Sequence, residues 1–271
     1  MIHRSRARIA VIVTLAILAF ILILAPYIAP FDPTQVKMEE RLKPISMEHL
    51  LGTDHLGRDV FSRILTGAQT TVGASFLILF ISLLVGVPFG LLSGYLGGKI
   101  DRIFMRIVDA FMTFPDYIVA IILSGFLGPG MFNLVLAIVM VKWVGYARLA
   151  RSVVLTEKQK DYISMAKING MSSLNILRRH MIPHVTGNVM VLATLDIGKI
   201  ILMIASLSYI GLGAQPPAPE WGAMLNEAKG FFYNAPQLML IPGLSIMMVV
   251  LIFNLLGDYL RDHFDVKNQK G

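Results

Sequence analysis

The chain has 271 residues, of which 55% are hydrophobic and 15% charged, against roughly 25% charged in soluble domains. Several separate apolar runs are of the order of the ~20 residues that cross a hydrocarbon core of about 30 Å, so the chain reads as an all-α, multi-span membrane protein. The net charge of +7 is spread over alternate segments between those runs rather than over a basic helix with interleaved aromatics, which argues against a nucleic-acid partner; the absence of cysteine excludes disulfides, thiolate ligands and lipidated cysteine.

His3-Arg-Ser-Arg-Ala-Arg8 precedes a charge-free run from Ile9 to Ala29, 21 residues long. That exceeds the roughly 7–15-residue core of a signal peptide, and no small-x-small cleavage pattern precedes Pro30. It reads as an uncleaved first span with its amino end inside.

Asp32 to Arg63 carries Lys37, Arg41, Lys43, Arg58 and Arg63 against Asp32, Glu39, Glu40, Glu48, Asp54 and Asp59, a balance of −1 that suits the outer side. Within it, Leu51-Gly-Thr-Asp-His-Leu-Gly57-Arg-Asp-Val-Phe-Ser-Arg63 has glycines that mark tight turns, and Asp59 is placed to pair with Arg58 or Arg63. A satisfied polar cap over a bundle accounts for this stretch better than a metal site of His49, Asp54 and His55, which share no helical face. The run resembles the Leu-Gly-Thr-Asp-x-x-Gly-Arg-Asp-x-x-Ser-Arg signature of the dipeptide, oligopeptide and nickel importer permeases, C-subunit type. The resemblance makes Gly52, Thr53, Asp54, Gly57, Arg58 and Asp59 the family's outer signature.

From Ile64 to Gly98 there are 35 residues without a charge, long for one span and short for two. A polar turn entering the membrane is expected at Thr66 to Thr71 and the second span at Val72 to Leu96. Lys99 to Arg106 reads as a short basic inner loop. A hairpin follows, with spans at Phe111 to Leu127 and Met131 to Tyr146 around Gly128-Pro-Gly130. Asp116 lies near the inner entrance of the first of these, where a hydrated or Arg-paired structural carboxylate is favoured over a proton relay.

Arg148 to His184 is the largest inner segment, with Arg148, Arg151, Lys158, Lys160, Lys167, Arg178 and Arg179 opposing Glu157 and Asp161, net +5. A basic surface helix on anionic lipid would show the same charge. Yet Ile163, Ala166, Ile168, Met171, Leu174, Leu177, Met181 and Ile182 mark buried-face positions, so two short amphipathic helices are expected, broken at Gly170 and stopped before Pro183. Gly170 and Pro183 stand thirteen residues apart. That spacing resembles the signature loop of ATP-binding-cassette (ABC) importer permeases, usually Glu-Ala-Ala, a glycine four residues on, then Ile-x-Leu-Pro. Ala166 matches the second alanine, while Ser164 and Met165 replace the usual Glu and Ala. The resemblance implies that Asp161, Ala166, Gly170 and Pro183 belong to a surface that fits a cleft on an ATPase subunit.

The fifth span runs from Gly187 to Ile210. Asp196 and Lys199, at i and i+3, share a face there as structural glue, a wall of a translocation path or an ion-coupling site. Gly211-Leu-Gly213, Pro216-Pro217 and Pro219 end it and lead into an outer loop. Its Trp221, Phe231, Phe232 and Tyr233 suit the headgroup level or a lid. Leu238 to Gly257 gives a sixth span and 258–271 a tail without net charge, so both termini face the cytoplasm.

No phosphate loop, dinucleotide glycine motif, His-Glu-x-x-His or Gly-x-Ser-x-Gly occurs. The chain is therefore read as a non-enzyme without a bound cofactor or metal. The family resemblance implies a type I ABC importer permease fold with six spans in the bacterial inner or plasma membrane. It also implies a second homologous permease, two ABC ATPase subunits that use ATP and Mg, an extracytoplasmic solute-binding protein, and surrounding membrane lipid. The expected organisation is 1–30 as amino segment and first span, 31–71 as extracytoplasmic segment, 72–257 as permease core with coupling loop 151–184, and 258–271 as tail. Ala193-Thr-Leu-Asp-Ile-Gly198, Glu220-Trp-Gly222 and Asn254-Leu-Leu-Gly-Asp258 look most like the nickel-import branch. Nickel or a metal chelate is the expected cargo, with dipeptides and oligopeptides the alternative. An ion-coupled secondary carrier is the remaining alternative, although such a carrier needs no docking surface between its spans.

Overall fold

The computed structural model describes residues 24–25 and 27–268, so most of the expected first span and the end of the tail lie outside the described residues. After an irregular segment with one 3-10 turn, Met38–Glu40, the chain is helical: α1 Val60–Leu96, α2 Gly98–Met112, α3 Asp116–Leu127, α4 Met131–Lys158, α5 Asp161–Ile168, α6 Ser173–Ile176, α7 Ile182–Tyr209, α8 Trp221–Ala228 and α9 Gln237–Asn268. The described residues contain no strand, only an isolated bridge between Thr53 and Asp59. Four helical stretches are long and apolar enough to cross a membrane, or five if α2 and α3 are one bent span. These five correspond to the second to sixth expected spans.

The 35-residue charge-free run holds no turn: α1 is continuous from Val60 through Thr66 and Thr71 to Leu96, which corrects the expected break. Thr66 and Thr70 donate their hydroxyls to the Ser62 and Thr66 carbonyls one turn back, so these polar side chains are satisfied without leaving the helix. Its 37 residues extend about 55 Å, more than the hydrocarbon core requires. One end therefore stands clear of the membrane and carries the segment before Val60.

Close approach of α1 and α4 comes from glycines one turn apart. A Cβ on Gly86 would lie 2.3 Å from the Trp143 carbonyl oxygen, and one on Gly90 2.2 Å from that of Ala147. This is the small-residue stripe by which membrane helices bring their backbones together. Around it, α1, α4, α7 and α9 share one core, with Ile78, Ile138, Tyr146, Ile200, Ile204 and Phe253 fully buried.

Two further expectations are corrected. Lys99 to Arg106 is helical rather than a loop: Lys99, Arg102 and Arg106 alternate with apolar positions at helical spacing, and Val108 packs on Val144 and Ala147. The chain then bends by 89° before α3, at Thr113-Phe114-Pro115, because the residue before a proline is disfavoured in helical conformation. Nor does the helix after Gly170 stop before Pro183; α6 runs through a π-helical stretch, Leu177–Met181, directly into α7, where Pro183 sits in the first turn. The wider π turn accommodates the missing donor and the ring of the proline.

Candidate functional site

At the α4–α7 end of the bundle, α5 stops in a turn fixed by hydrogen bonds. The Gly170 amide donates to the Lys167 carbonyl and the Met171 amide to that of Ala166, each at 3.0 Å, with Gly170 at φ +77°. This is the Schellman closure, which needs a left-handed residue just past the helix end and therefore favours glycine. Ser172 restarts the chain by capping the Asn175 amide of α6. Ile163 and Ala166 anchor α5 against the bundle, and Ile176 and Met181 anchor the following helix. Ile168, Leu174 and Ile182, expected on the buried face, instead point outward; Ile168 stands five residues, about 140°, from Ile163 on the same helix, while the Gly170 turn before Leu174 and the π segment before Ile182 shift the register that an unbroken 3.6 period would set. Together with Tyr162 and Met165 they form an exposed apolar surface around the turn. Asp161, Gly170 and Pro183 are exposed on this loop, whereas Ala166 is buried beneath it.

A residue noted from sequence only for its charge fixes that surface to the spans. Glu157, 6% exposed in the last turn of α4, accepts from Lys160 Nζ at 2.7 Å and from the Tyr162 hydroxyl at 2.5 Å. His184 Nε2, in the first turn of α7, lies 3.8 Å from the same carboxylate. Burial and the bond to Glu157 push the Tyr162 phenol up to about 12. Glu157 thus touches both the start of the loop and its exit.

At the opposite end, the residues of the Leu51-to-Arg63 run build a cap. The Gly57 turn, at φ +75°, lies so close to Lys37 that a Cβ would meet its carbonyl oxygen at 1.8 Å. Gly52 makes the other left-handed turn, and Thr53 accepts from the Lys43 amide at 2.8 Å. Asp54 Oδ2 accepts from Arg58 Nε at 2.6 Å, and Arg58 continues to Glu227 of α8. Arg63 Nη2 also reaches Glu227, at 3.2 Å. Asp59 pairs with neither arginine, contrary to expectation. It caps the Ser62 amide at 2.7 Å and binds His49 Nδ1 at 2.9 Å, because its position at the N-terminus of α1 turns it away from the guanidinium pair.

His49, Asp54 and His55 do not converge. His49 faces Asp59 and Glu40, while His55 approaches Asp54 and Glu227, whose possible ligand atoms come within 4.8 Å of one another. The carboxylates of that second group already hold Arg58 and Arg63. Burial pushes the His55 imidazole below its usual range, with Asp54 and Glu227 opposing the shift and Arg58 and Arg63 adding to it.

Trp221, expected at the headgroup level or on a lid, is instead 3% exposed, its indole donating to the Ile64 carbonyl at 3.1 Å. The space opened by Gly67 on α1 admits the ring. Glu220 beside it is fully buried, accepting from the Gly222 and Ala223 amides and from Thr71. Phe232 and Tyr233 are the aromatics of this loop that stand exposed.

Within the spans, Asp196 Oδ1 lies 3.4 Å from Lys199 Nζ, and Asp196 Oδ2 accepts from the Tyr146 hydroxyl of α4 at 2.9 Å. The pair does not sit enclosed in this chain: the Asp196 side chain is 12% exposed and that of Lys199 65%. Asp116 is half-exposed and held by Lys142 at 3.0 Å rather than by an arginine.

The sequence pattern of the family described as binding-protein-dependent transport system inner membrane component matches residues 86–269. The chain is 38% identical over 262 residues to the nickel transport system permease protein NikC of Escherichia coli (strain K12), covering 97% of this chain and 94% of that one. It is 40% identical over 270 residues to the dipeptide transport system permease protein DppC of Haemophilus influenzae, covering 97% and 92%. The glutathione transport system permease protein GsiD of Pectobacterium atrosepticum is 42% identical over 265 residues, with 97% and 88% covered. Among solved structures, an inward-facing MetNI methionine ABC transporter superposes with TM-score 0.61 at 19% identity, over 74% of this chain and 95% of that one, a likeness of fold.

Proposed function

The chain belongs to the family of binding-protein-dependent transport system inner membrane components, as a permease of the dipeptide and nickel ABC importers, and from that premise we propose that it forms half of a translocation path for nickel or a metal-chelate complex. The partners in this reading are a second homologous permease, two ABC ATPase subunits that bind ATP and Mg, and an extracytoplasmic solute-binding protein. Bond chemistry belongs to the ATPase subunits. The basic segments, Lys99 to Arg106 and Arg148 to His184, face the cytoplasm, as do both termini.

The observation that carries the mechanism is the exposed apolar turn at Gly170, anchored below by Ile163 and Ala166 and to the spans by Glu157. Asp161, Ala166, Gly170 and Pro183 form or support the element that enters an ATPase cleft. Because α6, the π stretch and α7 are one continuous helix, displacement of the turn on ATP-driven closure is transmitted to the Asp196–Lys199 level as a lever. The cap built on Gly52, Thr53, Asp54, Gly57, Arg58 and Asp59 fixes the outer surface that receives cargo from the binding protein.

Nickel is supported by the similarity to a nickel permease, and the peptide reading by similarity to dipeptide and glutathione permeases at 40% and 42% identity. Uptake of radiolabelled Ni²⁺, with and without histidine as chelator, is measured in cells lacking and re-expressing the chain, beside uptake of a labelled dipeptide. Loss and recovery of nickel uptake supports the cargo reading. Loss of dipeptide uptake with unchanged nickel uptake assigns the peptide reading.

A further inference from the structure

α7 is the most buried of the candidate spans, with 61% of its apolar window covered. Among its exposed residues in the membrane, Lys199, Leu202 and Ser206 fall close to one stripe at helical spacing. Lys199 stands ten residues before Tyr209, about 15 Å below that end of the helix, which places it near the middle of a hydrocarbon core of about 30 Å. A charge at that depth is costly in lipid and is normally turned to protein or to a water-filled cavity.

Among the described residues the ammonium is left uncovered, the Lys199 side chain being 65% exposed. Its contact here is Asp196 Oδ1 at 3.4 Å, while the other oxygen of Asp196 is taken by Tyr146, so the carboxylate is fixed from α4. An ammonium has three donors, and a side chain 65% exposed leaves room for further acceptors beside Asp196. The pairing holds the lysine beside Asp196 without enclosing it.

We propose that Lys199, positioned by Asp196 and Tyr146, is a carboxylate-binding point at the middle of the translocation path, which takes the carboxylate of a passing cargo, whether a peptide C-terminus or a carboxylate-bearing metal chelate. The assignment rests on the permease reading above and names the chemical group its path recognises. Asp196 weakens the lysine's pull on an anion, so the cargo is held briefly and released.

The test uses the complete importer in proteoliposomes, with Lys199→Cys in this otherwise cysteine-free chain and the unsubstituted importer as reagent background. Treatment with 2-aminoethyl methanethiosulfonate restores an ammonium after folding; the sulfonatoethyl reagent installs an anion. Uptake is followed for a free dipeptide and for the Ni²⁺–histidine complex. Expected are a fall of about tenfold in Lys199→Cys, corresponding to about 1.4 kcal/mol, recovery to within about threefold with the aminoethyl reagent, and no recovery with the anionic one. The cargo that shows the effect identifies the source of the carboxylate. Failure of Lys199→Cys to react with either reagent in any nucleotide state overturns the proposal, as does uptake indifferent to the charge installed. Loss of assembly in Lys199→Cys also overturns it, and assigns the lysine to the interface with the second permease. Absence of uptake of both cargoes by the unsubstituted importer contradicts the cargo reading instead, and reagent access to Lys199→Cys is still read separately.

Discussion

Tyr162 donates its hydroxyl to Glu157 at 2.5 Å, joining the first turn of α5 to the last turn of α4 across the bend at Gln159 and Lys160. Since the acceptor is a nearly buried carboxylate that also faces His184, the bond sets the angle at which α5 leaves the bundle. Tyr162→Phe removes it while keeping the ring on His180. A hydrogen bond to a charged group contributes about 1.5 kcal/mol. Amide exchange across 160–168 should therefore speed up by about tenfold, with exchange in the middle of α4 unchanged, and ATP-coupled uptake should fall. Unchanged exchange would remove Glu157 from the positioning of the loop.

Orientation follows from the loop charges. Single cysteines at Glu48 and Tyr233, both exposed, should react with an impermeant thiol reagent in intact cells, whereas one at exposed Lys160 should react only after permeabilisation. Labelling of Lys160→Cys from outside would reverse the orientation.

The cap on α1 depends on a buried charge network. The Arg58 side chain is fully buried between Asp54 and Glu227, with Arg63 alongside. Arg58→Met leaves two carboxylates to Arg63 alone, and breaking a buried pair costs about 3–5 kcal/mol. The midpoint of thermal unfolding of the purified complex should drop, and proteolysis within 32–58 should accelerate. Arg58→Lys should recover only part of the loss, because an ammonium cannot fork to both acceptors.

Much of this architecture was legible from residue pattern, and the parts that were not share a cause. The spans after the first follow from apolar runs, and the turn at Gly170 from a glycine in a basic segment with its own buried positions. The continuity of α1 was hidden because Thr66, Thr70 and Thr71 lower local hydropathy, while their back-bonding and the contact of Thr71 with Glu220 appear only in three dimensions. Arg58 and Glu227 are 169 positions apart, so local spacing offered Asp59 as the partner instead. Glu157 differed from other charges in having Lys160 and Tyr162 at helical-turn distance, a signal that was present but weak. Trp221 carried no local mark of burial; the glycine that admits its ring is on α1.

Acid should loosen the same cap. The His55 imidazole titrates below its ordinary range in the folded chain, so between that lowered value and about 6.5 the unfolded state binds more protons. The stabilisation is present above about 6.5 and is lost as pH falls through the folded value. Protection of amides across 52–63, taken relative to the intrinsic exchange rate at each pH, should fall between pH 7.5 and pH 5.5 (round assay values, of the order of one unit either side of an unperturbed histidine). His55→Phe, which keeps the stack on Phe231, should flatten that dependence. An identical pH response in both proteins would place the titrating group elsewhere.

The central claim is that the turn at Gly170 is the contact through which ATP hydrolysis drives this permease, and Gly170→Trp addresses it most directly. Among the described residues, its two chain neighbours apart, no atom lies within 4 Å of a Cβ built on Gly170, so the larger side chain meets empty space here and an ATPase only in the complex. The left-handed backbone at φ +77° adds strain of about 1–2 kcal/mol, too little to unfold a bundle whose core lies among α1, α4, α7 and α9. Membrane insertion of Gly170→Trp should be normal, while co-purification of the ATPase subunits and ATP-dependent uptake should fall together, and Ser164→Ala on the same loop should be much milder. Normal ATPase stoichiometry with normal uptake in Gly170→Trp would contradict the account.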